Sequence, residues 1–337
     1  MFGAREYRAA QVEGESHMKR AVMTAVAVAA VIAFGFSPAD AQSAFPPAPP
    51  KVSPIAGAID FHVHSAPDVF GRNVRDIEVA KAAKRAGMRG LVLKNHVTNT
   101  ADRAALVMEA VPGIEVFGGI VLNNAVGGLN TNAVEWMHRM EGGRGKVVWF
   151  PTFESDNHKK TLSKSEGITL MEDGKLKPEV DDVLKVIARE NLVLQTGHAK
   201  PEVTLAVIKR AKELGVKNIA VTHAMATVPG LSIDQMKEAA KDGAMFEHVY
   251  LNVIMGPNAA HGWMRHWKQV STKDMAAAIK EVGADHFILS SDLGQSGNPI
   301  HPDGYKKLVA GLMKDGVSQA DIDKMMKTNP AKLLGLN

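Results

Sequence analysis

The chain has 337 residues, 45% of them hydrophobic, which is enough to bury a large core but stands at the upper edge for a single domain. Its formal net charge is only +4, too small and too widely spread to indicate a nucleic-acid-binding protein. It contains no cysteine, which excludes disulfide bonds, thiolate metal ligands and a cysteine nucleophile, so any metal must be held by histidine, carboxylate or modified lysine.

The first 41 residues have the order of a secretory leader. After Met18, the expected start of translation, a basic pair precedes an apolar run over residues 21–36, and small residues follow that run. This order predicts a signal peptide cleaved before Gln42, followed by a proline-rich tether over residues 42–55. An uncleaved anchor is the alternative, but the run is shorter than the ~20 apolar residues of a membrane span, so no stable membrane anchor is expected. We therefore expect a secreted or periplasmic protein.

We expect a chain begun at Met18 to be exported and trimmed before Gln42, because the leader pattern is complete from that residue. The intact mass of periplasmic material should show the loss of the whole leader. A matched chain that lacks residues 18–41 should remain in the cytoplasm. Retention of residues 21–36 in the exported protein would contradict the cleavage.

Beyond the tether, short apolar runs alternate with amphipathic helical stretches. The runs that predict strands are 58–63, 90–93, 114–120, 146–150, 191–195, 218–221, 244–250 and 286–290. In residues 202–214 apolar side chains recur at helical spacing, and Gly215 supplies the stop. Eight strand–helix units in about 250 residues have the size of a closed barrel, so we predict an α/β fold of the (β/α)8 TIM-barrel type over residues 56–337. An open doubly wound sheet is the alternative, and residues 155–177 are expected to form an insertion over the barrel mouth.

Candidate metal ligands stand at the ends of four of these strands, where barrel enzymes carry their reactive groups. His62 and His64 end the first strand two residues apart, so both imidazoles can point into the barrel mouth. His198 follows the fifth strand, and His223 follows the sixth. Asp292 follows the apolar eighth strand, where an unpaired carboxylate would be costly and a nearby cation would remove that cost. These positions predict a metal-ligand cluster, with ordinary hydrogen-bonded histidines and a helix-capping Asp292 as the alternatives.

This order of ligands, His-x-His after strand one, His after strands five and six and Asp after strand eight, resembles that of the amidohydrolase superfamily. The resemblance extends from the first strand to the end of the chain and implies a metal-dependent hydrolase on a β/α barrel. It implies that His62 and His64 bind the more buried ion together with Asp292. It also implies that His198 and His223 bind a second ion, so one or two divalent ions per chain, with Zn²⁺ expected, would be the cofactor.

The residue that bridges two ions is where the sequence departs from the superfamily pattern. Many binuclear members carry a carbamylated Lys or a Glu at the end of strand four, but no Lys ends that strand here. Glu154, just beyond strand four, and Lys94, at the end of strand two, are the two candidates for the bridge. His96 and His158 lie in predicted rim loops and are candidates for substrate contacts, and Glu247 in strand seven is a further residue near the lip.

The expected chemistry follows from the ligand types. A metal ion held by imidazoles and carboxylate lowers the pKa of bound water toward ~7, which makes a nucleophile available at ordinary pH. We therefore expect hydrolysis of an amide, lactone or ester bond in a small molecule, with Asp292 as the base that takes the water proton and delivers it to the leaving group. A metal-dependent non-oxidative decarboxylase of the same superfamily is the alternative, and in it His223 would act as an acid rather than a ligand. A secreted metal- or solute-binding protein without turnover is the third hypothesis.

Overall fold

The computed structural model describes residues 52–336. The predicted leader, its cleavage site and most of the tether lie outside the described residues. Ile55, at the end of that tether, is fully buried and packs into the core between strands and helices. Within residues 52–336, no helix combines the length and the apolar character needed to cross a membrane.

The strands of the described residues form a nearly closed parallel barrel and one small hairpin. They are β1 Ile59–Val63, β2 Gly90–Leu93, β3 Glu115–Val121, β4 Gly145–Trp149, β5 Met171–Glu172, β6 Lys175–Leu176, β7 Val193–Gln195, β8 Asn218–Val221, β9 Met245–Val249 and β10 Phe287–Ser290. All except β5 and β6 are parallel neighbours in one eight-stranded sheet, in chain order. Val63, at the end of β1, forms an isolated parallel bridge with Leu293, just beyond the end of β10, so the barrel is nearly closed. The predicted (β/α)8 barrel is therefore confirmed, and the open doubly wound sheet is wrong.

The predicted strand bounds agree with the structure to within two residues. Residues 90–93 and 218–221 are strands as predicted. The fifth barrel strand starts at Val193 rather than at Asn191, because Asn191 has a φ of 50°, a turn conformation rather than an extended one. Local turn chemistry therefore shifts the ends of the elements and leaves their number unchanged.

Helices connect the barrel strands on the outside. They are α1 Asp76–Arg85, α2 Ala101–Ala110, α3 Thr131–His138, α4 Asp156–His158, α5 Pro178–Arg189, α6 Pro201–Glu213, α7 Ile233–Ala240, α8 Tyr250–Val253, α9 Thr272–Val282, α10 His301–Lys314, α11 Gln319–Asp323 and α12 Asn329–Leu334. In α6 a proline occupies the first turn, Val203, Val207 and Ala211 face the core, and Gly215, with a φ of 84°, follows the end. The helix predicted over residues 202–214 is confirmed to within one residue.

Residues 155–177 form the predicted insertion after β4. It contains α4, a π-helical turn at Lys159–Ser163, and the hairpin of β5 and β6. His158 and Leu162 from this segment line the cavity at the carboxyl ends of the barrel strands. The insertion therefore covers part of the barrel mouth.

The barrel interior is a separate apolar cluster from the layer between strands and helices. Its strand residues are Ile59, Phe61, Val92, Phe117, Val121, Val147, Trp149, Val193, Ala220, Met245 and Ile288. Residues of α12 pack against the same cluster. The interior is thus filled by side chains, as in other barrels of this type, so a cavity for a ligand can form only at the barrel mouth.

The pairing of β1 with β2 shifts register in the middle of β1, which decides where its histidines point. Ile59 and Phe61 pack in the barrel interior, whereas Val63 packs in the outer layer. Strict alternation from Phe61 would have pointed His62 and His64 away from the interior. The irregularity re-aims both imidazoles into the barrel mouth, as β-bulges beside functional sites commonly do.

Asp60 holds this irregular stretch of backbone. Its Oδ1 accepts hydrogen bonds from the backbone N–H groups of His62 (3.2 Å) and Ser291 (2.9 Å). Asp60 is fully buried, and burial raises the pKa of its carboxyl to about 7. The bonds tie the bulge of β1 to the end of β10.

Candidate active site

A cavity of about 760 Å³ opens at the carboxyl ends of the barrel strands. The predicted site residues that line it are His62, His64, Lys94, His96, His158, His198, His223 and Asp292. Phe70, Phe153, Trp263 and Trp267 form aromatic parts of the wall. A cavity of this size, with convergent polar groups and apolar walls, fits a small molecule.

His62, His64 and Asp292 form a buried group that could hold a metal ion. Asp292 Oδ1 lies 3.0 Å from His62 Nε2 and 3.2 Å from His64 Nε2. Burial holds the pKa of both imidazoles well below the ordinary value, so both rings are neutral. Burial also raises the pKa of Asp292 to about 8, and a cation beside it would favour the charged carboxylate. Neutral imidazoles and a carboxylate in need of a cation are the donor set that a divalent metal requires.

A backbone hydrogen bond and a left-handed backbone conformation place Asp292 beside the end of β1. Asp292 has a φ of 53°, in the left-handed region, and its N–H donates to the His62 carbonyl at 2.9 Å. Gly294 has a φ of 124°, and a Cβ there would lie only 1.9 Å from the His64 carbonyl oxygen, so glycine is required. The next helix, α10, begins at His301, so Asp292 caps no helix and the helix-cap alternative is wrong.

Glu247 on β9 has a role that the sequence did not reveal. Its Oε2 lies 3.1 Å from His62 Nδ1 and accepts a bond from the His223 backbone N–H at 3.2 Å. Glu247 is fully buried, which raises the pKa of its carboxyl. A carboxylate on Nδ1 of a ligating histidine fixes the tautomer in which Nε2 faces the metal. Glu247 thus orients His62 rather than standing free at the lip.

The other two predicted ligands, His198 and His223, lie side by side in the cavity wall. His198 Nε2 lies 3.0 Å from His223 Nε2, and His198 Nδ1 lies 2.8 Å from Nδ1 of His158 in the insertion. Burial lowers the pKa of His223 to about 3 and that of His158 to about 4, and holds the pKa of His198 well below its ordinary value. The ring of Trp267 contacts all three imidazoles edge-on. Two neutral imidazoles with facing Nε2 atoms are suited to share a second ion.

The two candidates for the bridge occupy different surroundings. Lys94 Nζ lies 3.0 Å from His62 Nε2 and 5.3 Å from the centre of the Trp149 ring, and its side chain is fully buried. Burial lowers the pKa of Lys94 to about 8. Glu154 Oε2 instead accepts a bond from the Asn124 backbone N–H at 2.6 Å, and its side chain is not part of the cavity wall. The structure therefore brings Lys94, and not Glu154, to the predicted ligands.

Arg72, in the loop after β1, is a cavity residue that the sequence did not single out. Its Nη2 lies 2.7 Å from Asp68 Oδ2 and 3.4 Å from His64 Nδ1. Only 5% of the Arg72 side chain is exposed, and the Asp68 side chain is fully buried. The pair places a cation beside His64, on the side of the ring away from Asp292. A loop arginine is most often solvated, so nothing in the sequence distinguished this one.

A family model described as "Family of unknown function (DUF6282)" matches residues 57–247, more than half of the chain. The match includes β1 through most of β9 and thus four of the five predicted ligands. Among curated proteins, none matches the chain.

Several solved structures resemble this one. An organophosphorus hydrolase from Deinococcus radiodurans is 16% identical with a TM-score of 0.56, and the match covers 84% of this chain and 94% of that one. An amidohydrolase from Pseudomonas aeruginosa is 13% identical with a TM-score of 0.54, covering 83% and 97%. A phosphotriesterase homology protein from Escherichia coli, complexed with phosphate in its active site, is 16% identical with a TM-score of 0.53, covering 82% and 98%. At these identities the similarity establishes a shared fold, and at that level the predicted resemblance to amidohydrolases is confirmed.

Proposed function

The chain belongs to DUF6282, a family of unknown function, and we propose that it is a metal-dependent hydrolase that cleaves an amide, lactone or ester bond of a small molecule. The proposal depends on one observation: Asp292 meets both His62 and His64 in a buried cluster at the barrel mouth. The fold is shared with proteins described as an organophosphorus hydrolase and an amidohydrolase, which supports hydrolysis as the reaction class.

We assign the more buried divalent ion to His62, His64 and Asp292, and a second ion to His198 and His223. Zn²⁺ is the proposed metal, because imidazole and carboxylate are among its usual protein ligands. When bound, such an ion supplies Lewis-acid activation of water and of the electrophilic group of the substrate. The side chains of the protein itself orient the reacting groups and transfer the proton.

Asp292 is assigned as the general base. Its carboxylate takes the proton released when water attacks and then delivers it to the leaving group. Because Asp292 lies within 3.2 Å of both His62 and His64, its carboxylate can reach a water molecule at the proposed metal site. Glu247 keeps His62 in place during the transfer through its bond to Nδ1.

The walls of the cavity are assigned to the non-reacting part of the substrate. Phe153 and Trp267 line its interior, and Phe70 and Trp263 are each 46% exposed, so they form an aromatic rim. Aromatic walls favour apolar or aromatic substituents and displace water from the reacting groups.

Elemental analysis of the purified protein, together with a panel of amides, lactones and esters, tests the proposed function. We expect at least one transition-metal ion per chain and a turnover that is lost on chelation and restored by Zn²⁺. One ion per chain with release of carbon dioxide from a carboxylic acid would instead support the decarboxylase. Bound metal without turnover of any substrate would support the binding protein.

Lys94→Met should lower the metal content of the protein, whereas the matched variant Glu154→Gln should not, because only Lys94 lies among the ligands. We propose that the neutral Lys94 amine adds to carbon dioxide with loss of one proton, which gives a carbamate as the shared anionic ligand. Bicarbonate during metal loading should therefore raise the activity of the wild type and not that of Lys94→Met. Equal metal content in the wild type and Lys94→Met would remove Lys94 from the ligand set.

A further inference from the structure

We infer that His96 is a further catalytic residue, which donates a hydrogen bond from Nε2 to the oxygen of the electrophilic group of the substrate. The inference rests on the proposed hydrolysis and concerns a histidine outside the proposed ligand set. It is carried by a chain of hydrogen bonds that determines which ring nitrogen of His96 holds the proton.

The series of hydrogen bonds begins at Asn123, whose side-chain amide has only one orientation consistent with its partners. Its Oδ1 accepts a bond from the Thr152 backbone N–H at 3.0 Å. Its Nδ2 lies 3.1 Å from the His96 carbonyl oxygen, which can only accept, and 3.0 Å from Thr152 Oγ1. Asn123 and Thr152 are both fully buried, so exchange of the amide nitrogen and oxygen would leave a carbonyl facing a carbonyl.

The orientation of the Asn123 amide determines how the Thr152 hydroxyl bonds to the His96 imidazole. Its oxygen already accepts a bond from Asn123, and its remaining contact within the described part of the chain is His96 Nδ1, at 2.9 Å. A buried hydroxyl has one proton to donate, and leaving it without an acceptor costs free energy. Thr152 O–H therefore donates to Nδ1, and the neutral His96 ring carries its proton on Nε2.

The ring is held so that this proton is available to a ligand. It stacks on His64, with ring centres 4.9 Å apart and planes at 26°, and contacts the Phe153 ring edge-on at 5.2 Å. Nδ1 is on the Thr152 side, so Nε2, on the other side of the ring, faces the cavity that His96 lines. Asn95 Oδ1 accepts bonds from the next two backbone N–H groups after His96, which fixes the loop. A rigid N–H donor without a partner among residues 52–336 thus stands beside a proposed metal ligand.

The reaction supplies the acceptor for this donor. As the water oxygen bonds to the carbonyl carbon, the π electrons move to the carbonyl oxygen, and the negative charge grows there until the bond to the leaving group breaks. The proton taken by Asp292 then goes to the leaving group. A fixed donor aimed at that oxygen binds the transition state more strongly than the substrate. Thr152 and Asn123 are positioning residues, since they act only through His96.

The first test is independent of turnover. Long-range ¹H–¹⁵N spectra of the ¹⁵N-histidine-labelled protein, with the signals of His96 identified from His96→Gln, report which ring nitrogen is protonated. We expect protonated Nε2 and unprotonated Nδ1 in the wild type and in Thr152→Ser, and loss of this preference in Thr152→Val. A proton on Nδ1 in the wild type, or the same spectrum in Thr152→Val, would overturn the inference.

The second test measures kcat and KM on a substrate that the wild type hydrolyses. Removing one oxyanion donor typically lowers kcat by ~10²–10³-fold, and we expect a loss of that size in His96→Gln, with KM, metal content and melting temperature little changed. Thr152→Val should lower kcat less, and the matched control His286→Gln, at the other end of the barrel, should leave it unchanged. An unchanged kcat in His96→Gln would refute the catalytic role while leaving the hydrolase intact. If the wild type hydrolyses nothing, the proposed function fails, and the spectra still decide the tautomer.

Discussion

Replacing His62 and His64 together with alanine should remove the more buried metal ion and abolish most of the hydrolysis. The two imidazoles supply two of the three members of the buried group, and the remaining Asp292 carboxylate cannot hold a divalent ion alone. Elemental analysis and turnover of the same preparation measure the two effects together. Loss of both at once is expected, because the water activation that the proposal requires depends on the bound ion.

The barrel itself should persist in this double variant. Neither histidine belongs to the apolar cluster that fills the interior, so circular dichroism should show a folded protein. His138→Ala with His286→Ala is the matched control, because both of these histidines lie outside the cavity wall and bond to backbone carbonyls through Nδ1. Unchanged metal content after the loss of His62 and His64 would contradict the ligand assignment.

The strands and the order of the candidate ligands could be predicted from the sequence because both are local patterns. Apolar runs such as Gly90–Leu93 and Asn218–Val221 are flanked by polar and turn-forming residues, which sets their limits. In a parallel barrel every strand ends at the same rim, so a histidine after β8 and an aspartate after β10 must lie near the end of β1. A local pattern and one topological rule were therefore enough to predict that Asp292 lies near the histidines.

The direction of the β1 side chains could not be read in the same way. The two-residue spacing of His62 and His64 correctly predicts that they share a face, but it does not say which face. Phe61 packs in the interior, and only the shift in register after Asp60 allows both imidazoles to follow it there. The Asp60 carboxyl beside that shift accepts a hydrogen bond from Ser291, 231 residues further along the chain, and no local pattern encodes such a contact.

The same limit applies to the choice between Lys94 and Glu154. Both follow barrel strands, and the sequence offered no distinction between them. In the structure the Glu154 carboxylate bonds to the Asn124 backbone N–H and is not part of the cavity wall. The Lys94 amine instead packs over the Trp149 ring and lies beside His62. Such a choice follows from packing between strands, which the order of residues does not reveal.

Asp292→Asn should lower turnover by ~10²–10⁴-fold, the usual contribution of general acid–base catalysis, while substrate binding changes much less. The amide oxygen can still contact the metal next to His62 and His64, but the side chain can no longer accept the proton of the attacking water. The fold should tolerate the change, because asparagine is one of the few residues other than glycine that readily adopts a positive φ, and position 292 has a φ of 53°. Turnover, metal content and melting temperature of the variant are the measurements.

The three readouts separate catalysis from folding and from metal loss in Asp292→Asn. Asp285→Asn is the matched control, because this carboxylate pairs with Lys324 at the start of β10, at the opposite end of that strand from the cavity. It should leave all three readouts near the wild-type values, since an exposed ion pair contributes little to the free energy of unfolding. A loss of metal in Asp292→Asn would show that the carboxylate charge is needed mainly for binding the ion. Near-normal turnover with metal retained would mean that another group takes the proton, and Lys94, 3.0 Å from His62 Nε2, would then be the next residue to exchange.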